Sequence, residues 1–238
     1  MGFNRFLVDS STAIIGRVRR NRRIKVKADL RDGFVKVNIG SGLEVKNGWI
    51  NVDASLNALI ASWPPIFHKI LYQLSGSSKY YSKKQYCDLL SKHIFVHHDL
   101  TYGIPMEDES VDYIFSSHFL EHLFKTDANR LLVDCYRALK IGGTLRVSVP
   151  DLAYAVSLYS HEKSDETLRM LNDYFFVDYN ESFLARHKYM YDFELLQSIL
   201  QKIGFSQISQ CAFQVGKIPD IKFLDNRPVD SLFVEAVK

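Results

Sequence analysis

From residue 34 onward, apolar and polar positions repeat in two rhythms that trade places along the chain. The stretch "FVKVNIG" sets Val35, Val37 and Ile39 against polar neighbours and runs into Gly40-Ser41-Gly42, which predicts a strand followed by a tight turn. "GWINVDAS" predicts a second strand ending at Asp53, "HIFVHHDL" a third ending near Asp99, and "VDYIFSSH" a fourth. "GTLRVSVPD" predicts a fifth, entered through Gly142-Gly143 and stopped by Pro150. Between the fourth and fifth, "TDANRLLVDCYRALKIGG" places Leu131, Leu132, Cys135 and Leu139 on one helical face, with Thr126 or Asp127 as the cap and Gly142 as the stop. "YDFELLQSILQKIGF" predicts another amphipathic helix, capped by Asp192 and ended by Gly204. Residues 205–215 and "DSLFVEAVK" then predict two closing strands. Strands that alternate with helices imply an α/β fold, a mostly parallel sheet covered on both faces.

Two segments fall outside this rhythm. Residues 54–93 are too long for a simple crossover, and Trp63-Pro64-Pro65 divides them into two helical pieces. Residues 151–191 read as helical and are rich in aromatics: Tyr174, Phe175, Phe176, Tyr179, Phe183, Tyr189 and Tyr191. Insertions of that length serve as lids, as binding surfaces or as plain packing additions.

Composition adds bounds. A 238-residue chain that is 47% hydrophobic and 24% charged reads as a globular protein able to bury a substantial core. It contains no apolar run of membrane-spanning length, and Asp9 interrupts the one stretch near the start that resembles a signal-peptide core. Cys87, Cys135 and Cys211 are odd in number and widely spaced, so neither a disulfide framework nor a thiolate metal site is expected, and a reducing, cytoplasmic setting is. The net charge of +3 conceals an asymmetry: Arg17, Arg19, Arg20, Arg22, Arg23, Lys25 and Lys27 follow one another with no acid among them. Taking those seven from the 30 basic residues leaves 23 against 27 acidic ones, so the basic charge belongs to an arm, residues 1–33, ahead of the domain at 34–238. Such an arm is either a solvated leader or a contact for anionic lipid at the inner face of a membrane, or for nucleic-acid phosphates.

Open parallel sheets bind ligands where strands leave the sheet, near the point at which the winding direction reverses. The first predicted strand leaves through Asn38, Gly40, Ser41 and Gly42, where glycines let a backbone approach a ligand. A third glycine is missing, since Val45 stands in its place, which disfavours a nicotinamide dinucleotide. Asp53, ending the second strand, can accept both hydroxyls of a ribose. It lies only 13 residues after Gly40, so the intervening helix must be short or missing. Asp99 and Leu100 leave the third strand, suited to an adenine amine and ring face, while Ser116, Ser117 and His118 leave the fourth. His118-Phe119-Leu120-Glu121-His122 spells H-x-x-E-H, a string that carries zinc in one group of metallopeptidases. That use requires both histidines on one sustained helix, whereas here the first follows a strand directly, so no metal is expected.

The series "VNIGSG", "GWINVD", "HHDLTYGIPMEDESVDYIFSSHFLEHL", "YRALKIGGTLRVSVPDL" and "HKYMYDFELLQSILQKIGF" resembles class I S-adenosylmethionine-dependent methyltransferases. Within them it is most similar to the methyltransferase-type-11 group and its relatives in bacterial surface-polysaccharide clusters. The resemblance implies a Rossmann-like, doubly wound, seven-stranded sheet with a reversed final hairpin, and S-adenosyl-L-methionine as cofactor. It implies that the Gly40 to Gly42 turn holds the methionine part, Asp53 the ribose, Asp99 and Leu100 the adenine, and that Ser116, Ser117 and His118 floor the site near the methyl group. A sugar or glycan-linked hydroxyl is the implied acceptor, with another small metabolite as the alternative. A non-catalytic protein keeping the fold is the rival reading. DNA is not expected, because no N-P-P-Y-type motif is present. A hydroxyl acceptor needs a base, for which His118, Glu121, His122, Asp151 and His187 are the candidates.

Overall fold

The computed structural model describes residues 2–25, 32–161, 163–175 and 186–238. Of the residues singled out above, Lys27, Phe176, Tyr179 and Phe183 lie outside the described residues, as does the side chain of Tyr174. Seven strands, β1 (Lys36–Ile39), β2 (Trp49–Asp53), β3 (Ile94–His97), β4 (Val111–Ser117), β5 (Leu139–Pro150), β6 (Ser206–Cys211) and β7 (Ser231–Val237), form one sheet in the order β3-β2-β1-β4-β5-β7-β6. The first five run parallel, and β7 lies antiparallel to both β5 and β6. The winding direction reverses between β1 and β4, and that crevice is where such sheets bind ligands.

The flanking helices are α1 (Gly2–Val18), α2 (Leu56–Ile60), α3 (Pro65–Leu71), α4 (Lys83–Lys92), α5 (Lys125–Ala138), α6 (Leu152–His161), α7 (Asp165–Phe175), α8 (Phe193–Ile203) and the single turn α9 (Ile221–Leu224). α8 forms as its sequence predicts. The Asp192 carboxylate accepts Leu195 N at 2.8 Å, and Gly204 closes the helix in the left-handed conformation. α5 differs at both ends. It starts at Lys125 with Phe124 as its uncapped N-terminus, so Thr126 and Asp127 sit inside the first turn, where Asp127 faces the positive end of the helix dipole. It also stops before Leu139, which pairs with Val111 as the first residue of β5. Leu139 is buried in helix or strand alike, so periodicity could not separate the two, and Gly142 instead sits in an irregular stretch of β5, with φ +80°.

The central strands are buried on both faces, as parallel strands between helix layers are, and β1 therefore buries Lys36 and Asn38 along with Val37 and Ile39. Lys36 pairs with Asp32, while the Asn38 amide donates to Glu44 O at 2.9 Å and to Asn51 Oδ1 at 3.3 Å. The main core joins these strands to α5 and α8 through Leu131, Leu132, Cys135, Leu196 and Leu200. The insertion before β3 has a small core of its own, made of Ile60, Tyr72, Tyr86 and Leu90.

No helix connects β1 to β2. Its place on the sheet is taken by residues 212–230, the link between β6 and β7, which crosses the sheet so that Ile218 and Leu224 pack on Trp49 of β2 and Phe115 of β4. Trp49 Nε1 donates to Asp220 Oδ2 at 3.0 Å. Arg146, wholly buried on β5, fastens the same link. Its guanidinium meets Asp225 at 2.6 Å and Glu235 at 3.2 Å and donates to the carbonyls of Ala212 and Val215. The carboxylates are filled in turn by backbone N–H groups: Asp225 accepts Gln214 N, and Glu235 accepts Lys217 N and Ile218 N.

Candidate functional site

At the switch point lies a cavity of ≈ 180 Å³. One wall is the β1 exit, with Asn38, Gly40, Ser41 and Gly42. The second is the β4 exit, with Ser117 and His118, and the third is the crossing link, with Phe223, Asn226 and Arg227. The two glycines serve different ends. Gly40 has φ +66°, and a Cβ there would stand 2.0 Å from the Phe119 ring, so the residue must be glycine for the β4 exit to close over it. Gly42 has φ +51° with nothing within 4 Å of where a Cβ would be, so this turn presents open backbone.

Asp53 braces that turn. One carboxylate oxygen accepts Gly42 N at 2.9 Å and the other Ser55 N at 2.7 Å, leaving a lone pair on each for a ligand hydroxyl. The carboxylate is half-buried and does not line the cavity. Asp99 is turned to local use: its Oδ1 accepts Thr101 N at 3.0 Å and the Thr101 hydroxyl at 2.7 Å. The third strand exit is covered by α1, whose Gly16 packs so closely that an added Cβ would lie 2.9 Å from Asp99 Cβ. Leu100 faces the main core and Ser116 is fully buried, so neither reaches the cavity. The basic arm is tied down beyond α1, where Ile24 N donates to Pro105 O at 2.9 Å and Arg23 meets Asp134 at 3.7 Å.

The base candidates separate in space. Asp151 accepts Ala153 N at 2.9 Å in the first turn of α6 and lies away from the cavity. His118 lines it, in a left-handed conformation uncommon for a residue with a Cβ, φ +47°. Its Nε2 lies 2.8 Å from Ser231 Oγ and its Nδ1 3.3 Å from an Arg227 nitrogen. A guanidinium can only donate, so Nδ1 carries the lone pair and Nε2 the proton. His122 and His187 face one another at 5.0 Å between ring centroids, and neither lines the cavity. His122 is held below the usual histidine pKa, chiefly by burial, with the Glu121 charge opposing. At the β3 exit, burial also lowers His97 and pushes His98 down to about 4.

H-x-x-E-H is not a helical pair of ligands. Leu120–His122 is a single 3-10 turn, and what it brings together, Glu121, His122 and His187, spans 66 residues of sequence. The crossing link and His187's approach to His122 were beyond sequence reasoning, although Arg146 and Glu235, charges inside two apolar strands, were a signal for the first.

Residues 69–147, about a third of the chain, match the methyltransferase domain family. No curated protein sequence matches. Among solved structures, a protein of Bordetella parapertussis superposes with a TM-score of 0.51 at 14% identity, over 96% of this chain and 67% of its own. A SAM-dependent methyltransferase from Archaeoglobus fulgidus gives 0.48 at 18% identity, over 98% and 94% of the two chains. Phosphoethanolamine N-methyltransferase 2 of Haemonchus contortus, in complex with S-adenosyl-L-methionine, gives 0.48 at 17%, over 96% of this chain and 52% of that one. At these identities the likeness is one of fold.

Proposed function

We propose that the chain is an S-adenosylmethionine-dependent methyltransferase that methylates a hydroxyl of a sugar or glycan-linked acceptor. The observation that carries this reading is the cavity at the switch point, floored by an open Gly42 turn that Asp53 holds in shape. The methyltransferase-domain match over residues 69–147 agrees with it. The cavity is smaller than the roughly 300–1,000 Å³ of sites enclosing a whole drug-sized ligand. The cofactor would therefore extend past it, with Gly40 to Gly42 holding its methionine part and Asp53 its ribose.

The cofactor, when bound, supplies a methyl group on a sulfonium, which needs no further activation. The protein's task is alignment, for which positioning can supply about 7–11 kcal/mol at best. Held by Gly40 to Gly42 and Asp53, the cofactor would supply the methyl group to the acceptor oxygen and, as a neutral thioether, keep the electron pair of the S–CH3 bond that breaks. The hydroxyl proton goes to His118 Nδ1 once Arg227 gives way, and the buried Glu121 carboxylate, 3.5 Å from that nitrogen, stabilises the imidazolium. Asn38, Ser117, Asn226 and Arg227 give the walls a hydrogen-bonding character suited to a polyhydroxylated acceptor.

Calorimetric titration with S-adenosyl-L-methionine tests the common root of this reading. One site per chain, weakened at least tenfold by Asp53→Ala, is expected; no binding by the wild type, or unchanged affinity in that variant, overturns the assignment. For the acceptor, labelled methyl uptake into nucleotide sugars and extracted glycans should fall by roughly 10²–10⁴ in His118→Ala with cofactor affinity retained.

A further inference from the structure

Glu121 is wholly buried, and neither of its carboxylate oxygens has a hydrogen-bond donor among the described residues. Such a group is rare, because a buried carboxylate without a partner costs several kcal/mol. Its neighbours deepen the anomaly. His122 sets its Nδ1 3.3 Å from Arg186 O, which assigns the proton to that nitrogen and leaves the lone pair on Nε2, 3.8 Å from Glu121 Oε1. His118 Nδ1 lies 3.5 Å from the same oxygen, but its lone pair accepts the Arg227 N–H and so brings Glu121 no proton. The His122 lone pair and the Glu121 carboxylate thus face each other with no proton between them. His187 comes from a distant segment to complete the group: one donor atom each from Glu121, His122 and His187 lies within 4.8 Å of the others.

We infer that Glu121, His122 and His187 form a binding site for a divalent first-row transition metal ion of the zinc or manganese class. The donor set decides the class, since imidazole nitrogen favours these ions, whereas magnesium and calcium prefer oxygen alone. The hydrogen bond from His122 Nδ1 to a backbone carbonyl is the outer support that metal-bound histidines receive almost always. The segment bearing His187 is held independently of any ion: Lys188 N and Tyr189 N donate to Glu121 O at 2.7 and 3.3 Å, and Lys188 Nζ to His122 O at 2.7 Å. Metal–ligand bonds of about 2.0–2.2 Å set donors ~3.4 Å apart, so the side chains close in by rotamer adjustment when the ion enters. Three protein ligands leave at least one position for an oxygen from outside, on the same carboxylate that touches His118 at the cavity wall.

The test uses the chain of residues 1–238 stripped with a chelator. Cobalt(II) is titrated in and followed by visible absorption, and zinc and manganese(II) are titrated in by calorimetry. One ion per chain is expected, weakened at least tenfold in His187→Gln and in Glu121→Gln. Near-ultraviolet circular dichroism serves as the check that each variant is folded, and if one is not, the other carries the test. No stoichiometric binding by the wild type, or equal affinity in a folded variant, overturns the site. A parallel S-adenosyl-L-methionine titration separates the two proposals: metal without cofactor binding sinks the methyl-transfer reading and leaves the site standing, and cofactor without metal does the reverse.

Discussion

Two buried charge clusters flank the cavity, and they are built to opposite plans. Around Arg146 every charge is answered: two carboxylates, two carbonyls and three backbone N–H groups close the network, and residues 212–230 are fixed on the sheet by it. Around Glu121 the charge is left open, with the His122 lone pair turned toward it and no hydrogen-bond donor among the described residues. Closed networks hold shape, while open ones hold reactivity or wait for a ligand. The contrast marks the Arg146 side as scaffold and the Glu121 side as working surface.

The largest effect should come from breaking the closed network. Arg146→Met leaves Asp225 and Glu235 buried without their cation and should cost about 3–5 kcal/mol in denaturant unfolding. A loss below about 1 kcal/mol would show that the cluster is not the staple described. Next comes the apolar contact that seats the junction after β4. Gly40→Ala drives a methyl into Phe119 and should lose about 1–3 kcal/mol, with Gly42→Ala losing less because open space surrounds it. Equal losses at the two positions would mean that backbone conformation, not Phe119, sets the requirement.

Acid should then act on the histidine-bearing side. With His98 at about 4 and His97 and His122 also lowered, the unfolded chain binds protons below about pH 6.5 that the folded chain refuses. The stability these histidines contribute therefore falls as pH drops from about 6.5 toward 4 and does not change above that. His98→Gln should reduce that slope in denaturant midpoints, and an unchanged slope would remove His98 as its source. The smallest effect is expected where the charge is open. In metal-free protein Glu121→Gln removes an unanswered charge and offers an amide hydrogen to the His122 lone pair, so unfolding stability should shift by less than about 1 kcal/mol or rise. A loss approaching that of Arg146→Met would erase the distinction between the clusters.

How much of this was legible in the sequence depended on how local the cause was. The strands at Val37, Ile50 and Ile114 and the capped helix from Asp192 to Gly204 follow from short-range pattern and turn chemistry, and they appeared as read. The glycine turn and His118 were placed at the cavity for the same reason: strand exits are local features on a known sheet topology. Leu139 was misplaced because a buried leucine satisfies helix and strand equally. Asp53 and Asp99 sit at the expected exits, yet both are engaged by neighbouring backbone, which spacing does not reveal. The packing of Trp49 against Leu224, and of His122 against His187, joins residues far apart in the chain, and no periodicity encodes such meetings.

The link that crosses the sheet also bears on when the cavity comes into being. Its third wall depends on contacts such as Trp49 to Asp220, separated by 171 positions, and on β7 lying beside β5. Pairings of that span form slowly, because the entropy of closing so long a loop must be overcome first. A chain whose parallel strands have already assembled thus still has an open, unwalled switch point. Ligand binding becomes a late event in folding, and recovery of cofactor affinity during refolding should lag behind recovery of helix content.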